Sequence, residues 1–451
     1  RDSCGFGLFA SIDNEPSHRI VEVAISALER LTHRGAVGAD GKTGDGCGLL
    51  IKFPEKFLRE IGAECGFKLS ESFAAGTVFL DQNEDRAETS RRQINDSINT
   101  CDLEVVGWRD VPIRPEVCGE VARKTLPRIE QIFVNAPPGM QRGTFNRKLF
   151  LARRGAEKKF STLDNRTYIA SLSSATLSYK GMVMPQVLPE FYEDLRDPRL
   201  ESSVCLFHQR FSTNTLPQWH LAQPFRFLAH NGEINTIQGN RNWAVARANN
   251  FYSDKLQELS DLGPIISLTD SDSASLDNML EVMRASGMDI LQAMRVLIPP
   301  AWQAMDALDS DIRAFYEFFG CHIEPWDGPA GIVLTDGRFA ACCLDRNGLR
   351  PARYVITEDR HIMIASEIGV YNYEQSEVVE KGRLRPGEMM AVDLQQGKLL
   401  KDDDINEELK GRFPYKQWLK NGVRYLDSEL VDLHIAAEPF DEETLAADQK
   451  M

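Results

Sequence analysis

The chain opens with Arg1-Asp-Ser-Cys-Gly-Phe-Gly-Leu-Phe-Ala-Ser-Ile12, in which a cysteine leads into an alternating apolar run. Every second residue from Phe6 to Ile12 is apolar, and this period of two predicts a strand that enters a core. Gly5 and Gly7 would let a second backbone or a ligand approach the sulfur of Cys4 closely. Taken alone, the segment fits a small buried cysteine better than a reactive one.

A second role for Cys4 depends on the three residues that precede it. If residues 1–3 were removed, Cys4 would carry both its thiol and a free α-amine, so a nucleophile and a base would share one residue. The choice between a structural and a catalytic cysteine therefore depends on which other side chains the fold brings to Cys4.

Composition indicates an ordinary globular protein of two or three domains, or of one large elaborated domain. Of the 451 residues, 42% are hydrophobic and 26% are charged, as in typical soluble proteins. The formal net charge of -15 argues against nucleic acid or an anionic membrane surface as the main partner. The nine cysteines are scattered without a C-x-x-C pair, which is typical of free thiols in a reducing cytosol and gives no iron–sulfur framework.

Short strands and amphipathic helices predict an α+β protein in which antiparallel sheets are covered by helices. An apolar face at helical spacing extends from Ile20 to Leu31, and Gly35 is predicted to end this helix in the left-handed conformation. Asp336-Gly337 predicts a tight hairpin between strands at 330–334 and 338–344. The other predicted strands are 47–53, 73–80, 103–106, 129–134, 168–177, 204–208, 225–229, 354–356 and 361–365, and later helices are 234–248, 275–286, 289–297 and 311–319.

The segment Phe207-His-Gln-Arg-Phe-Ser-Thr-Asn-Thr215 joins an apolar strand to an abruptly polar end. An arginine at a strand end, among hydroxyl groups, can bind a carboxylate through two parallel N–H···O bonds. Arg210 could equally be a structural arginine that ties down a loop. The segment by itself gives the two interpretations similar weight.

In Leu228-Ala-His-Asn-Gly-Glu-Ile-Asn235, a short apolar strand leads into Asn231-Gly232 and then into a helix. A side-chain amide and an unobstructed backbone N–H are the two donors that a tetrahedral oxyanion requires. Taken alone, the pair is more simply interpreted as an ordinary Asn-Gly turn.

Leu268-Thr-Asp-Ser-Asp-Ser-Ala-Ser275 is an acidic, hydroxyl-rich loop that precedes a helix. Its simplest role is to cap that helix through a Ser or Asp side chain. Asp272 could alternatively serve as the counter-ion of an ammonium group. Four histidines lack the spacing of a metal site such as H-E-x-x-H and are interpreted as structural: His33, His208, His230 and His322.

Several motifs occur in one fixed order, and their combination is highly specific. They are Cys-Gly-Phe-Gly at 4–7, His-Arg-Gly at 33–35, Gly-Asp-Gly-Cys-Gly at 44–48, His-Gln-Arg-Phe-Ser-Thr-Asn-Thr at 208–215, His-Asn-Gly-Glu-Ile-Asn at 230–235, Ser-Asp-Ser at 271–273, Trp-Asp-Gly-Pro-Ala at 326–330 and Asp-Arg-Asn-Gly-Leu-Arg-Pro at 345–351. From Cys4 to about residue 425, the chain closely resembles the N-terminal class II glutamine amidotransferase domain of glutamate synthase large (α) subunits of the bacterial, NADPH-dependent type.

The resemblance implies an αββα sandwich of the N-terminal-nucleophile hydrolase type, with two mainly antiparallel sheets covered by helices. By the family's pattern, Cys4 is the nucleophile, its α-amine is the general base, and Asn231 and Gly232 form the oxyanion hole. L-Glutamine would be hydrolysed to L-glutamate and ammonia by way of a thioester on Cys4.

The family's pattern also implies a set of substrate-binding residues. Arg210 would bind the α-carboxylate of glutamine, and Asp272 would bind its α-ammonium group. Arg34 is carried over as a further site residue near the nucleophile. No cofactor and no metal ion is expected in this chain.

Further expectations concern the longer enzyme that the resemblance implies. Ammonia would reach a synthase domain that reductively aminates 2-oxoglutarate, with FMN and iron–sulfur clusters in the full-length enzyme, and FAD and NADPH on a small (β) partner subunit. Residues 1–3 are interpreted as a propeptide remnant, 4–425 as the amidotransferase domain, and 426–451 as a connector or the start of a next domain. The expected location is the cytoplasm, with no nucleic acid or membrane partner.

Two alternatives stay open. While residues 1–3 stay attached, the nitrogen of Cys4 is an amide and cannot act as a base, so the domain could be a catalytically silent assembly module. It could also be another class II amidotransferase that feeds a sugar phosphate, a purine precursor or aspartate, although a long insertion between about 75 and 200 counts against this. The sequence does not decide between NADPH and ferredoxin as electron donor.

Overall fold

The computed structural model describes residues 4–160, 166–210, 216–248, 253–256 and 263–423 of the 451-residue chain. The predicted propeptide remnant at 1–3, the predicted connector at 426–451 and positions 211–215 of the polar segment after Arg210 lie outside these described residues.

Sixteen strands and twelve α-helices form within the described residues. The strands are β1 Gly5–Ser11, β2 Cys47–Lys52, β3 Phe73–Leu80, β4 Glu104–Asp110, β5 Arg128–Asn135, β6 Tyr168–Ile169, β7 Thr176–Gly181, β8 Val204–Gln209, β9 Leu228–Gly232, β10 Ala330–Thr335, β11 Phe339–Leu344, β12 Arg353–Thr357, β13 His361–Ala365, β14 Val378–Arg383, β15 Met389–Asp393 and β16 Lys398–Leu400. The helices are α1 His18–Arg30, α2 Glu55–Glu64, α3 Glu84–Thr100, α4 Glu120–Lys124, α5 Arg142–Phe160, α6 Leu188–Phe191, α7 Ile237–Arg247, α8 Asp272–Ala285, α9 Ile290–Leu297, α10 Ser310–Gly320, α11 Asp402–Lys410 and α12 Tyr415–Gly422.

Two antiparallel sheets form the centre of the molecule. The strand order is β14-β12-β13-β1-β8-β2-β7 in the first sheet and β16-β15-β11-β10-β9 in the second. Side chains alternate between the faces of each sheet. Phe6 and Leu8 of β1 share one buried core with Val333 of β10, whereas Phe9 packs on the side of α1 and Ile332 on the side of α8, α9 and α10. The layers are therefore helix, sheet, sheet and helix, which confirms the predicted α+β sandwich.

A third sheet lies inside the insertion expected between about 75 and 200. Its strand order is β4-β5-β3-β6. Apolar residues of β3 and β5, such as Val78 and Ile132, pack against Ile94 of α3 and Leu149 of α5 in a separate buried cluster. The prediction of two sheets was thus incomplete, because an insertion that forms its own core leaves no mark on the motifs of the surrounding domain.

Gly35 does not end α1 in the left-handed conformation, so that prediction was wrong. The helix ends at Arg30, a 3₁₀ turn follows at Thr32–Arg34, and Gly35 is extended with φ -85°. The glycine is required for a different reason, since a Cβ atom there would lie 1.8 Å from Nε2 of Gln209.

The predicted hairpin at Asp336-Gly337 is confirmed, with β10 and β11 adjacent and φ +79° at Gly337.

The strand predicted at 225–229 lies instead at Leu228–Gly232. The backbone N–H groups of residues 226, 227 and 228 donate to the buried carboxylate of Asp277, which turns the chain before the strand begins. As a result, Asn231 is a strand residue paired with Gly331, and the Asn-Gly turn interpretation is wrong. Within the described residues, no helix is both long enough and apolar enough to cross a membrane.

Candidate active site

Cys4 immediately precedes β1, the central strand of the first sheet. Gly5 pairs with Gln209 of β8, while Phe6 donates its backbone N–H to Oγ of Ser366 just after β13. The residue is partly exposed and its thiol is not in a disulfide. The predicted nucleophile therefore lies at the end of a strand that is held on both sides.

Asn231 comes from β9 of the second sheet and meets Cys4 directly. Its Nδ2 donates a hydrogen bond of 2.8 Å to the backbone carbonyl oxygen of Cys4. Only 1% of Asn231 is exposed, and its Oδ1 atom has no hydrogen-bond partner in the described part of the chain. Two motifs that are 227 residues apart are thus joined at one point.

Gly232 ends β9 in a conformation that excludes other residues. Its φ is +150°, and a Cβ atom there would lie 1.7 Å from the carbonyl oxygen of Pro329. The next residue, Glu233, donates its backbone N–H to the same oxygen at 2.9 Å. The glycine is therefore needed for the close approach of two backbone segments beside Asn231.

Asp272 begins α8 and ties that helix to the loop after β9. Its Oδ2 accepts the backbone N–H of Ile234 at 2.8 Å, and its Oδ1 accepts that of Ser273 at 2.8 Å. The cap of α8 is Ser271, whose side chain accepts from the backbone N–H of Ala274. Asp272 is therefore not the N-cap residue itself, and its buried carboxylate stays beside the segment that follows the Asn-Gly pair.

His230 adds a second link between β9 and α8. Its Nδ1 lies 2.8 Å from Oγ of Ser273, and its backbone N–H donates to Oε1 of Gln223 at 2.7 Å. The ring is fully buried, and burial lowers its pKa below the ordinary value of 6.5. These contacts hold the strand that carries Asn231, in agreement with a structural role for this histidine.

Arg210 follows β8 and has an unusual backbone conformation. Its φ is +84°, a region that residues other than glycine rarely occupy, and its backbone N–H donates to the carbonyl oxygen of Gly46 at 2.9 Å. Its Nε lies 3.8 Å from Oδ2 of Asp45, and both side chains are mostly buried. The left-handed backbone of Arg210 ends β8, and its guanidinium group lies beside the carboxylate of Asp45.

Arg34 is bound to a carboxylate beside the site. Its Nε and a terminal nitrogen donate to the two oxygens of Glu367 at 3.1 and 2.8 Å, and His33 lies 3.0 Å from the same side chain. Glu367 follows Ser366, which is hydrogen-bonded to β1. Arg34 thus anchors a loop next to the nucleophile's strand, while a direct role in binding glutamine stays a prediction.

Burial, together with the charges around Cys4, sets the pKa of its thiol. Although part of the residue is exposed, burial around the sulfur raises the pKa of Cys4 to about 12, and the negative charges of Asp45 and Asp272 also raise it. The guanidinium groups of Arg210 and Arg350 lower it, without overcoming the effect of burial. The thiol is therefore protonated near neutral pH, and attack by its sulfur requires a proton acceptor.

Two charged residues of the site, Asp45 and Arg350, were not assigned from the sequence. Asp45 accepts the backbone N–H of Ala36 at 3.0 Å, and burial raises the pKa of its carboxyl to about 6 although Arg210 opposes the rise. Arg350 lies beside β10, because a Cβ atom on Gly331 would be 3.2 Å from its Cβ. Both lie in motifs quoted above, at 44–48 and 345–351. Neither motif indicates which residues Asp45 and Arg350 contact in the folded chain.

Within the described residues, no group of three or more His, Cys, Asp and Glu side chains is arranged to hold a metal ion.

A family model described as class-II glutamine amidotransferases matches residues 4–418. The chain belongs to this family. The match begins at the candidate nucleophile and spans every predicted site residue.

Curated relatives of this class-II amidotransferase are glutamate synthases. The glutamate synthase [NADPH] large chains of Bacillus subtilis (strain 168) and Azospirillum brasilense are 40% and 41% identical to it over 444 residues. Each alignment covers 98% of this chain but 29% of the relative. A ferredoxin-dependent glutamate synthase 2 from Synechocystis sp. is 41% identical over 426 residues, which are 93% of this chain and 27% of that protein.

The amidotransferase chain therefore spans less than a third of the length of these relatives. Among solved structures, a glutamine phosphoribosylpyrophosphate amidotransferase from B. subtilis aligns with 88% of this chain and 48% of its own, at 11% identity and a TM-score of 0.38. The sequence matches confirm the predicted resemblance and place the chain in a family of enzymes. Because the relatives' names include both NADPH and ferredoxin, the electron donor stays open.

Proposed function

We propose that this chain hydrolyses L-glutamine to L-glutamate and ammonia at Cys4. The observation that carries the proposal is the 2.8 Å hydrogen bond from Nδ2 of Asn231 to the carbonyl oxygen of Cys4. It holds a neutral amide donor against the residue that bears the thiol, in a chain of the class-II glutamine amidotransferase family.

In the proposed reaction, the sulfur of Cys4 attacks the δ-carboxamide carbon of glutamine. The carbonyl oxygen becomes an oxyanion, and the Asn231 side-chain amide and the Gly232 backbone N–H are the donors proposed to stabilise it. The C–N bond then breaks, ammonia leaves with the proton taken from the thiol, and a γ-glutamyl thioester stays on Cys4. Water hydrolyses the thioester, releases glutamate and restores the thiol.

The proton acceptor is proposed to be the α-amine of Cys4, once the bond to residue 3 is cleaved. Burial raises the pKa of the thiol to about 12, so a pre-formed thiolate is scarce at neutral pH. An α-amine has a pKa of about 8 and can take the proton as the sulfur attacks. As long as residue 3 stays attached, this nitrogen is an amide and the reaction lacks its base.

The remaining predicted residues would hold the amino-acid end of glutamine. Arg210 is proposed to bind the α-carboxylate and Asp272 the α-ammonium group, with Arg34 as a further residue of the substrate site. In support, the charges of Arg210 and Asp272 both act on the pKa of the Cys4 thiol, so the two groups lie within electrostatic reach of the reacting atom.

For the longer protein, we propose the activity of its relatives. Ammonia would pass to a synthase region that reductively aminates 2-oxoglutarate to glutamate, with FMN and iron–sulfur clusters in the same subunit. FAD and NADPH would belong to a small (β) subunit, and the assembly would act in the cytoplasm. The alignment covers 29% of the Bacillus subtilis relative, so most of that protein's length lies outside the aligned region.

The test compares chains that begin at Arg1 and at Cys4, each verified by intact mass. We expect the chain beginning at Cys4 to release glutamate from glutamine, and the chain beginning at Arg1 to do so poorly. Cys4→Ala should abolish release, whereas Cys65→Ala, which changes an exposed free cysteine, should not. Normal glutamate release by Cys4→Ala would refute the proposal.

A further inference from the structure

A cavity of about 260 Å³ lies away from the candidate active site, between α5, α8 and the segment that precedes β7. None of the predicted site residues lines it. Its wall contains four cationic side chains and two acidic ones: Arg147, Arg226, Lys255, Arg284, Glu281 and Asp336. The excess of two formal positive charges favours an anion.

The most buried of these cations, Arg226, has an unsatisfied donor. The residue is 7% exposed, and a terminal nitrogen donates to Oε1 of Glu157 at 3.0 Å and to the carbonyl oxygen of Ile169 at 2.6 Å. Its Nε is buried and has no hydrogen-bond partner in the described ranges. A buried N–H without an acceptor is costly and rare in folded proteins.

Arg284 and Arg147 also have N–H groups that lack an acceptor among the described residues. The terminal nitrogens of Arg284 donate to the carbonyl oxygen of Met288 at 2.7 Å and to Asp336 at 2.8 Å, while its buried Nε has no partner among the described residues. Arg147 donates only its Nε, to the carbonyl oxygen of Ala285 at 3.0 Å, as far as the described residues show. Both guanidinium groups are therefore positioned by the protein, and the terminal nitrogens of Arg147 form no hydrogen bond within the described residues.

Lys255 approaches the cavity across a glycine. A Cβ atom on Gly287, which has φ +100°, would lie 2.7 Å from the ammonium nitrogen of Lys255. This ammonium group forms no hydrogen bond or ion pair with the part of the chain that the structure describes. The glycine thus leaves space for a cation at the rim of the cavity.

Each of the two acidic side chains is paired with a cation, Glu281 with a residue outside the wall and Asp336 with a residue of the wall. Glu281 pairs with Arg153, and Asp336 pairs with Arg284 and also accepts the backbone N–H groups of residues 338 and 339. The rest of the wall is partly apolar, since Phe150, Leu172 and Phe227 line it. A ligand that fits must combine an anionic group with a carbon skeleton.

We propose that this cavity binds a small organic anion. Its carboxylate or phosphate group would accept hydrogen bonds from Arg147, Arg226 and Arg284 and pair with Lys255, and its carbon atoms would pack on the apolar wall. Guanidinium groups are suited to both kinds of anion, because their planar donors match either one.

The test is calorimetric titration of the 451-residue chain with inorganic phosphate, succinate and benzoate, and with benzamide as the uncharged counterpart of benzoate. We expect saturable binding of succinate and benzoate with a dissociation constant below about 1 mM, and binding of benzamide at least tenfold weaker. Binding of phosphate alone would overturn the organic part of the proposal. If no anion binds saturably, or if benzamide binds as tightly as benzoate, the whole proposal is overturned.

Two substitutions assign the binding to this cavity. Lys255→Gln and Arg147→Gln should each weaken benzoate binding about tenfold, equivalent to one charged contact. Lys398→Gln, which changes an exposed lysine of β16 outside the cavity, should leave it unchanged. Because Lys255 is exposed, its variant is expected to fold. Unchanged benzoate binding in both cavity variants would show that the anion binds elsewhere and would contradict the proposal.

Discussion

Asn231 and Cys4 are joined by a hydrogen bond that connects the two central sheets. Cys4 leads into β1 of the first sheet, and Asn231 belongs to β9 of the second. Asn231 pairs with Gly331, and a Cβ atom on that glycine would lie 2.8 Å from the ring of Phe6. The amide is therefore positioned by contacts on both sheets, which suits a group that must be ready before charge develops on a substrate.

Asn231→Ala should lower kcat for glutamine hydrolysis by about 10²–10³, because one donor to the oxyanion is lost. KM should change little, since the proposed contact strengthens only in the transition state. The measurement is initial-rate glutamate release by a chain that begins at Cys4. Asn99→Ala, which removes an exposed amide from α3, is the control. A kcat within threefold of the parent would show that Asn231 is not an oxyanion donor.

Gly232→Ala should destabilise the fold and abolish glutamine hydrolysis. The added Cβ would lie 1.7 Å from the carbonyl oxygen of Pro329, so the backbone must move. We expect a loss of at least about 2 kcal/mol in the free energy of unfolding, measured with urea. Gly239→Ala is a matched control within α7, where a Cβ meets nothing within 4 Å. Gly239→Ala should have an unchanged or slightly higher free energy of unfolding. A similar loss of unfolding free energy in Gly232→Ala and Gly239→Ala would contradict the steric argument.

The sequence predicts which residue types belong to the site better than it predicts how they are arranged. The motifs predict Cys4, Asn231 and Arg210 as site residues, because residue type and spacing are local properties. They could not show that Asn231 is a strand residue, since its pairing with β10 depends on residues about a hundred positions away. The ion pair of Arg34 with Glu367 crosses 333 positions and was equally invisible.

The fold shows the same division between local and distant information. The hairpin at Asp336-Gly337 was predicted because a turn encodes it locally. Gly35 was misinterpreted because its requirement comes from Gln209, a residue distant in sequence that approaches its α-carbon. Distant approaches of this kind leave no periodic or spacing signal in a single sequence.

Arg210 can be tested for strain and for binding with one pair of variants. At φ +84°, alanine retains the backbone strain while glycine removes it. Arg210→Gly should therefore be more stable than Arg210→Ala by about 1 kcal/mol in urea unfolding. Both should raise KM for glutamine strongly, because both lack the proposed partner of the α-carboxylate. Equal stability of the two would mean that the left-handed conformation costs nothing here, and an unchanged KM would exclude Arg210 from glutamine binding.

Asp45 should make stability depend on pH. Burial raises the pKa of its carboxyl from 3.8 to about 6 in the folded chain, so its charged form is disfavoured there and stability falls as pH rises through this range. Asp45→Asn removes the titrating carboxyl group, so the unfolding free energy of this variant does not fall for this reason as pH rises. Its advantage in unfolding free energy should grow by about 1 kcal/mol between pH 5 and pH 8 in urea titrations. Asp306→Asn, at an exposed position, should give the same difference at both pH values. A constant or shrinking advantage for Asp45→Asn would refute the raised pKa.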